Sequence, residues 1–403
     1  MEKRATLRKN AKYCMLQGLH WMISCVAIIF ASVFLLGRGY RSSEVGITMA
    51  CAYILGMLLQ PFISGLADRS VRLRGTPFLA LCAAVTMLPV AGLLLFTQKG
   101  AALTICYVLF VACQQTLTPL VYAYCFYLET PQTPIRFGIA RGIGSLAWSV
   151  ASTVLGILAD RVGVQVLPCT ALMFLALMQI LLFFCRKEGG AAAQAAAEQA
   201  QPERAASTLT LRNPTSIYRP FLFLLIGNAF IFFGHSFIDN FPFQVVSNVG
   251  GTSAQMGVFC AFTAAAELPA MFLFDRIRRR FSCEQLLRFG AAFFLVKNTL
   301  LFLASSLTGM FFAGVFQSVS YAVFHPAAVR YAGDHISSRD ANKAQSLVTA
   351  TTAAGNILAS ALGGVMIDAI GVHGMLAIGA AVTLCGVSVV VFGTRAKAAA
   401  PTA

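Results

Sequence analysis

The chain has 403 residues, of which 58% are hydrophobic and only 11% are charged. This composition excludes an ordinary soluble protein, in which about 25% of the residues are charged. The net charge is +15, but the basic residues cluster where apolar runs end, which indicates membrane topology rather than nucleic-acid binding.

Apolar runs of about 20 residues recur along the sequence, and each is long enough to cross about 30 Å of hydrocarbon as an α-helix. They predict an all-α integral membrane protein with twelve transmembrane helices. The predicted spans lie near residues 13–36, 44–65, 76–96, 101–128, 137–158, 165–185, 218–243, 253–274, 285–305, 306–329, 343–367 and 374–394.

Basic residues are concentrated on one side of these spans. They lie in the N-terminal tail, in the loop after the second span and in the loop after the eighth: Lys3, Arg4, Arg8, Lys9, Lys12, Arg69, Arg72, Arg74, Arg276, Arg278, Arg279 and Arg280. The opposite side carries only Arg38, Arg41, Lys99 and Arg161. The positive-inside rule therefore predicts that both termini are cytoplasmic. We expect a multi-pass protein of a bacterial inner membrane, without a cleavable signal.

The sequence divides near its middle. Residues 186–217 are the only long polar, low-complexity stretch and predict a cytoplasmic linker. The linker separates an N-terminal six-helix bundle, 1–185, from a C-terminal one, 218–403. Three residues near the end of the fifth span recur 208 positions later in the eleventh: Gly156, Asp160 and Gly163 recur as Gly364, Asp368 and Gly371. This repetition predicts a duplicated six-helix unit, as in many transporters.

The fifth span carries Arg141 and Trp148, seven residues apart and therefore on one face of a helix. An ionisable group inside a membrane span is a functional candidate. Gly144 and Ser145 lie between them on the same stripe and leave room for a ligand. The guanidinium can hold hydroxyl groups while the indole stacks on the C–H face of a polyhydroxylated ring. The alternative is an arginine paired with an acid at a helix contact.

Other polar side chains of the N-terminal spans are candidates for lining a cavity. Gln115 belongs to a polar segment of the fourth span ahead of Pro119, and His20 lies on the first span. The alternative for Gln115 is hydrogen bonding between helices.

The C-terminal spans carry two deep acids, Glu267 and Asp239. A carboxyl group in a low-dielectric environment binds a proton more readily than in water, so Glu267 is the leading candidate for a proton carrier and Asp239 the second. A permanent ion pair of Glu267 with Lys297 is the alternative. His235 and Asp239 are spaced i,i+4 and can face each other, in a structural bond or in transport. His325, before Pro326, is a further titratable candidate, with a structural histidine as the alternative.

The loop Gly65–Arg74 resembles the motif between the second and third helices of the major facilitator superfamily. In that family the acid and the basic residues are thought to pair and to latch one conformation. The resemblance gives this role to Asp68, Arg69 and Arg72, and to their counterparts Asp275 and Arg276. Ser64 and Val71 depart from the motif, which has glycine at both positions. The alternative is a solvated charged loop.

The run Phe137–Trp148 resembles the fifth-helix pattern F-G-x-A-R-x-x-G-x-x-x-W of the lactose-permease-like oligosaccharide:proton symporters. The resemblance implies that Arg141 binds sugar hydroxyls and that Trp148 stacks on the sugar ring. It also implies that Tyr122 stands in place of the sugar-binding acid of the fourth helix, and that Lys297 is the basic residue of the ninth.

Two departures concern proton coupling. The His and Glu of the family's tenth helix align with Tyr321 and Phe324. The resemblance therefore implies neither the sugar nor the route of the proton.

Together these features predict a secondary active transporter, a proton-coupled symporter of a sugar or a similar small polyhydroxylated solute that works by alternating access. The alternatives are a transporter of nucleosides, aromatic acids or drugs in either direction and, more remotely, an integral-membrane enzyme. The expected partners are a small-molecule substrate, protons and the lipid bilayer, with no nucleic acid, and the expected state is a monomer. No cofactor or metal is expected, because the twelve cysteines are scattered and contain no CxxC pair.

Overall fold

A computed structural model describes residues 2–69, 75–130, 133–185, 219–335 and 341–393. The regular structure of these residues is helical, which confirms the predicted all-α class. The helices are α1 (Glu2–Ile28), α2 (Ala31–Gly37), α3 (Ser42–Arg69), α4 (Thr76–Leu95), α5 (Ala101–Leu128), α6 (Phe137–Val162), α7 (Val166–Cys185), α8 (Arg219–Asn240), α9 (Pro242–Asn248), α10 (Ser253–Arg278), α11 (Cys283–Leu303), α12 (Leu307–Val315), α13 (Tyr321–His335) and α14 (Ala341–Gly393), with a 3₁₀ turn at Phe316–Ser318.

The described helices account for the twelve predicted crossings. Ten helical stretches are long and apolar enough to span a membrane, and α1 with α2 adds an eleventh, bent by 43°. The apolar part of α14, Ala344–Gly393, has 50 residues, or about 75 Å, which is more than twice the hydrocarbon thickness. Its backbone leaves helical geometry at Gly371, with φ 76° and ψ 170°. The break divides α14 into two spans.

The internal repeat is visible in the backbone. Gly163, which ends α6, and Gly371, its counterpart within α14, both have positive φ, at 97° and 76°. Glycine adopts this conformation readily, whereas a residue with a Cβ is strained there. The same glycine therefore ends the fifth and the eleventh span in the same way.

Two predicted spans differ from simple rods. The first predicted span, 13–36, is broken between α1 and α2. The tenth, 306–329, is interrupted by the 3₁₀ turn that contains Gln317. Mid-span turns of this kind often mark functional positions.

Of the described residues, 2–69, 75–130 and 133–185 form the first compact unit together with the segment Ser253–Ala261. Within it, α1 packs along α6 and contacts α5 and α7, while α5 also packs on α3 and α4. Buried aromatic side chains form much of its core, including Tyr13, Phe34, Tyr107 and Phe110. The packing of α1 against α6 determines which residues approach Arg141.

The described residues 219–252, 262–335 and 341–393 form the second compact unit. Its most extensive helix–helix packing is between α8 and α14. Gly234 of α8 lies so close to the backbone of Gly379 on α14 that a Cβ there would be 2.5 Å from the carbonyl oxygen. Small residues permit this close approach of membrane helices. The predicted linker, 186–217, lies outside the described residues, so the predicted domain boundaries stay a prediction.

Candidate functional site

In the first unit, Arg141 is held by two neighbours. Its guanidinium carbon lies 4.1 Å from the centroid of the Trp21 ring on α1, a cation–π contact. Its Nη1 group donates a hydrogen bond to the Ser145 hydroxyl, one turn further along α6, at 2.7 Å. The aromatic plate and the hydroxyl together fix the orientation of the planar donor group.

Trp21 connects Arg141 with Trp148. The Trp21 and Trp148 rings meet edge to face, with centroids 5.7 Å apart. The indole nitrogen of Trp21 is buried and has no hydrogen-bond partner among the described residues. Sequence reasoning missed Trp21, although it is one of only two tryptophans in the chain and follows His20 directly. We call Arg141, Trp21, Gly144, Ser145 and Trp148 the arginine cluster.

Gly144 makes room for Trp21 rather than for open space. A Cβ at this position would lie 2.5 Å from Cδ1 of Trp21, closer than two carbon atoms pack. Ser145, predicted to leave room for a ligand, has its hydroxyl engaged by Arg141. Both residues therefore shape the arginine cluster by positioning its larger members.

We expect Gly144→Ala to weaken substrate binding about tenfold, because the added methyl group displaces Trp21 from Arg141 and from Trp148, and such aromatic contacts contribute about 0.5–1.5 kcal/mol each. Gly142→Ala is the matched control, since a Cβ there meets nothing within 4 Å. Isothermal titration on both purified variants checks the difference. Equal affinities would show that the position of Trp21 does not matter for binding.

The other predicted N-terminal residues have separate contacts. His20 is fully buried; its Nδ1 lies 3.2 Å from the Gln114 amide nitrogen, and its ring packs edge-on against Trp21. The Gln115 amide lies 3.4 Å from the Ala52 carbonyl of α3. Tyr122 packs edge-on against Phe137, one turn before Arg141. His20 thus contacts the arginine cluster through Trp21, whereas Gln115 and Tyr122 contact residues outside the cluster.

The second unit contains a buried lysine, Lys297 of α11, which is 2% exposed. Its ammonium donates a 2.8 Å hydrogen bond to the Gln317 side-chain oxygen and lies 2.9 Å from Nδ1 of His235. The Gln317 amide nitrogen donates in turn to Oε1 of Glu267, at 2.8 Å. The sequence suggested a direct pair of Lys297 with Glu267; here an amide bridges the two groups.

The lysine also determines the tautomer of His235. A protonated lysine can only donate, so Nδ1 of the imidazole accepts and the ring proton lies on Nε2. Nε2 is 3.2 Å from Oδ2 of Asp239, although the two groups are not aligned for a hydrogen bond. The His235 side chain is 2% exposed and that of Asp239 is 55% exposed. We call Asp239, His235, Lys297, Gln317 and Glu267 the lysine chain.

His325 lies in an aromatic wall beside the lysine chain. Its ring stacks parallel on Tyr321, with centroids 5.4 Å apart, and Tyr321 is 5.9 Å from His235. The wall also contains Phe232 and Phe294, which both contact His235. His325 is therefore placed next to the lysine chain through ring contacts.

The predicted latch stays a prediction. Arg72 lies outside the described residues, and of the side chains of Asp68, Arg69 and Asp275 nothing is described. Arg276 is exposed in the last turn of α10.

A family model described as the MFS_1 like family matches residues 22–376. The chain belongs to this family of major facilitator transporters. It is therefore a multi-pass membrane protein.

Two relatives share sequence with this transporter at low identity. A protein of Deinococcus radiodurans named as a sugar efflux transporter is 25% identical over 260 residues, which span 64% of this chain and 64% of that protein. The maltose permease of Geobacillus stearothermophilus is 26% identical over 294 residues, 72% of this chain and 70% of the permease. The first match covers slightly less than two thirds of the relative.

Solved structures show the same fold at still lower identity. The nucleoside transporter NupG has a TM-score of 0.75 and 14% identity, with 96% of this chain and all of the NupG chain covered. The POT family transporter PepTSo has a TM-score of 0.71 and 10% identity, covering 96% and 98% of the two chains. These similarities concern the fold alone.

Proposed function

We propose that this transporter is a proton-coupled symporter of a sugar or a similar small polyhydroxylated solute. The observation that carries the proposal is the arginine cluster, a guanidinium fixed between an aromatic plate and a hydroxyl inside a membrane helix. The two sequence relatives, one named as a sugar efflux transporter and one as a maltose permease, support the same class of solute.

The cluster offers complementary surfaces to a sugar. Ser145 is the one hydrogen-bond partner of the Arg141 guanidinium among the described residues. An arginine has five N–H donors, so most remain for the hydroxyl groups of a solute. The neighbouring indoles supply the flat apolar surface on which the C–H face of a sugar stacks. Trp148 would bear directly on the ring, and Trp21 would hold the guanidinium in plane.

An anionic solute is the second candidate. Arg141 has no carboxylate partner among the described residues, and a partly buried guanidinium without one attracts a carboxylate or phosphate. Aromatic acids and nucleoside derivatives fall in this class. A neutral solute is distinguished from an anionic one by whether binding survives at high salt.

For coupling, we propose that the lysine chain carries the proton. Asp239 is the exposed end and Glu267 is the partly buried end, with a buried histidine and lysine between them. His235 and Lys297 each gain and lose protons in proteins, and Gln317 orients the two groups it bridges. His325 would influence proton binding by His235 through the Tyr321 ring, which contacts both histidines.

The test is a thermal-shift screen of purified protein against sugars, nucleosides and aromatic acids, followed by transport in proteoliposomes with an imposed pH gradient. We expect a neutral sugar to stabilise the protein and to accumulate when the gradient is imposed. Transport is measured in both directions, since one relative is named for efflux. Stabilisation by anions alone would favour the second candidate; accumulation that is indifferent to pH would contradict proton coupling.

We further propose a monomer in a bacterial inner membrane, divided into domains at 1–185 and 218–403 and acting as a transporter without catalytic chemistry or nucleic-acid binding. Both termini and the linker 186–217 would be cytoplasmic, because the basic loops lie on that side. In a variant whose twelve native cysteines are replaced by alanine or serine, a cysteine placed at position 200 should react with a membrane-impermeant maleimide only after cell lysis. Labelling of intact cells would contradict the orientation.

A further inference from the structure

The side chain of Gln114 joins α5 to the turn of α1 that carries Trp21. Its amide nitrogen lies 2.7 Å from the Ser24 hydroxyl, 3.2 Å from the His20 carbonyl oxygen and 3.2 Å from Nδ1 of the His20 ring. Gln114, His20 and Ser24 are all buried. One amide group therefore contacts both ends of a single turn of α1.

The contacts of Gln114 determine how its amide is oriented. A backbone carbonyl can only accept a hydrogen bond, so the group that faces the His20 carbonyl is the NH₂ end of the amide, and Nδ1 of His20 accepts from the same group. The oxygen Oε1 of Gln114, Nε2 of His20 and Nε1 of Trp21 are then buried without a hydrogen-bond partner among the described residues. Unpaired buried polar atoms are costly and call for an explanation other than stability.

The position of α1 between two other helices provides that explanation. α1 packs along α6 and also contacts α5. His20 and Ser24 are one turn apart and face α5, whereas Trp21, about 100° further around the helix, lies against Arg141 and Gly144 of α6. The bond on the α5 side therefore fixes the rotation of α1 about its axis, and this rotation decides where the indole lies.

His20 connects the two sides of α1 directly. Its ring packs edge-on against Trp21, with the centroids 5.7 Å apart, while its Nδ1 and carbonyl oxygen face the Gln114 amide. The Trp21 ring in turn lies 4.1 Å from the guanidinium carbon of Arg141. A continuous series of contacts thus leads from Gln114 to Arg141.

We propose that Gln114 is a positioning residue of the solute site, which holds the turn His20–Ser24 and thereby fixes Trp21 and the plane of the Arg141 guanidinium. The inference rests on the proposed function, in which Arg141 binds the solute. Gln114 acts through His20 and Trp21 and does not contact the solute itself. Displacement of the Trp21 ring removes the aromatic surface that orients the guanidinium donors.

The first test is tryptophan fluorescence of the purified full chain without any solute. The chain has two tryptophans, Trp21 and Trp148, so in a Trp148→Phe background the emission comes from Trp21 alone. In that background, Gln114→Met should shift the emission maximum to longer wavelength and increase quenching by acrylamide. The fold should be kept, because methionine has a similar volume and the Ser24 hydroxyl can turn to the His20 carbonyl one turn earlier.

Tyr107→Phe is the matched control in the same background. The Tyr107 hydroxyl donates to the Ala27 carbonyl at 3.1 Å, so it also joins α5 to α1, but at a later turn than Trp21. Tyr107→Phe should leave the Trp21 emission unchanged. An unchanged emission in Gln114→Met, or an equal shift in both variants, would overturn the proposal.

Ser24→Ala provides a second route if Gln114→Met does not fold. It removes the hydroxyl that accepts from Gln114 at 2.7 Å and leaves the glutamine in place. The Trp21 emission should shift in the same direction as in Gln114→Met, by a smaller amount, because the contacts with His20 remain. Wild-type emission in Ser24→Ala would then count against the proposal.

The second test is isothermal titration with maltose, since one relative is named as a maltose permease. With both tryptophans present, Gln114→Met should raise the dissociation constant about tenfold through the displaced Trp21, and Tyr107→Phe should bind as the wild type does. A shifted emission with wild-type affinity would overturn the role of Gln114 at the site. If the wild type does not bind maltose, the proposed sugar class loses support, while the emission comparison still decides whether Gln114 positions Trp21.

Discussion

Replacing Arg141 with lysine will raise the dissociation constant for the substrate by roughly 10- to 100-fold, because hydrogen bonds to a charged group contribute about 1.5–3 kcal/mol. Lysine keeps the positive charge but not the planar fork of donors. It also loses the flat stacking contact with Trp21 and the 2.7 Å bond to Ser145. Isothermal titration on purified protein checks the result.

Three further variants make this measurement decisive. Arg161→Lys applies the same substitution to an exposed arginine of the same helix and should bind normally. Trp148→Tyr should bind better than Trp148→Ala, because a ring is retained for stacking. If Arg141→Lys is well folded and binds with wild-type affinity, then Arg141 holds the helices together and does not contact the substrate.

The sequence predicted the parts of these clusters that depend on local geometry. The alignment of Arg141, Ser145 and Trp148 follows from the helical period alone, and the spacing of His235 and Asp239 follows in the same way. The twelve spans follow from the length of the apolar runs. Such features require no knowledge of which helices are neighbours.

The remaining parts depend on packing between distant segments. Trp21 precedes Arg141 by 120 residues, and it reaches the guanidinium only because α1 lies along α6. From the sequence alone, Gly144 indicates only that space is left on this face of the helix. The side chain that fills the space, Trp21, belongs to another helix. Gln317 was assigned no part in coupling because its role depends on Lys297 and Glu267, which lie on two other helices, and on a 3₁₀ turn within its own span.

The lysine chain places a buried positive charge between two carboxylates, with His235 on the side of Asp239 and Gln317 on the side of Glu267. Both hydrogen-bond partners of the Lys297 ammonium, His235 and Gln317, are neutral groups. A buried charge is costly unless nearby opposite charges compensate for it. The carboxylate of Asp239 lies next to His235, and that of Glu267 accepts a hydrogen bond from Gln317. Protonation of either carboxylate therefore increases the cost of keeping the lysine charged, which links proton binding at one end to the charge at the centre.

We predict that Glu267→Gln will abolish uphill accumulation of substrate while leaving downhill exchange and binding intact. Glutamine resembles the protonated acid and still accepts the hydrogen bond from Gln317, so the chain keeps its geometry but cannot release a proton. Asp239→Asn should have a weaker effect of the same kind, because the Asp239 side chain is 55% exposed, whereas that of Glu267 is partly buried. The measurements are substrate accumulation and substrate-driven proton uptake in proteoliposomes.

Glu44→Gln is the matched control, since Glu44 is an exposed acid of the first unit that pairs with Lys99. It should accumulate substrate as the wild type does, because an exposed ion pair contributes little. With the pH gradient imposed, the wild type should reach an internal concentration several times the external one, whereas Glu267→Gln should stop at equal concentrations. Full accumulation by Glu267→Gln would remove Glu267 from the coupling mechanism. Transport by the wild type without any proton flux would contradict proton symport.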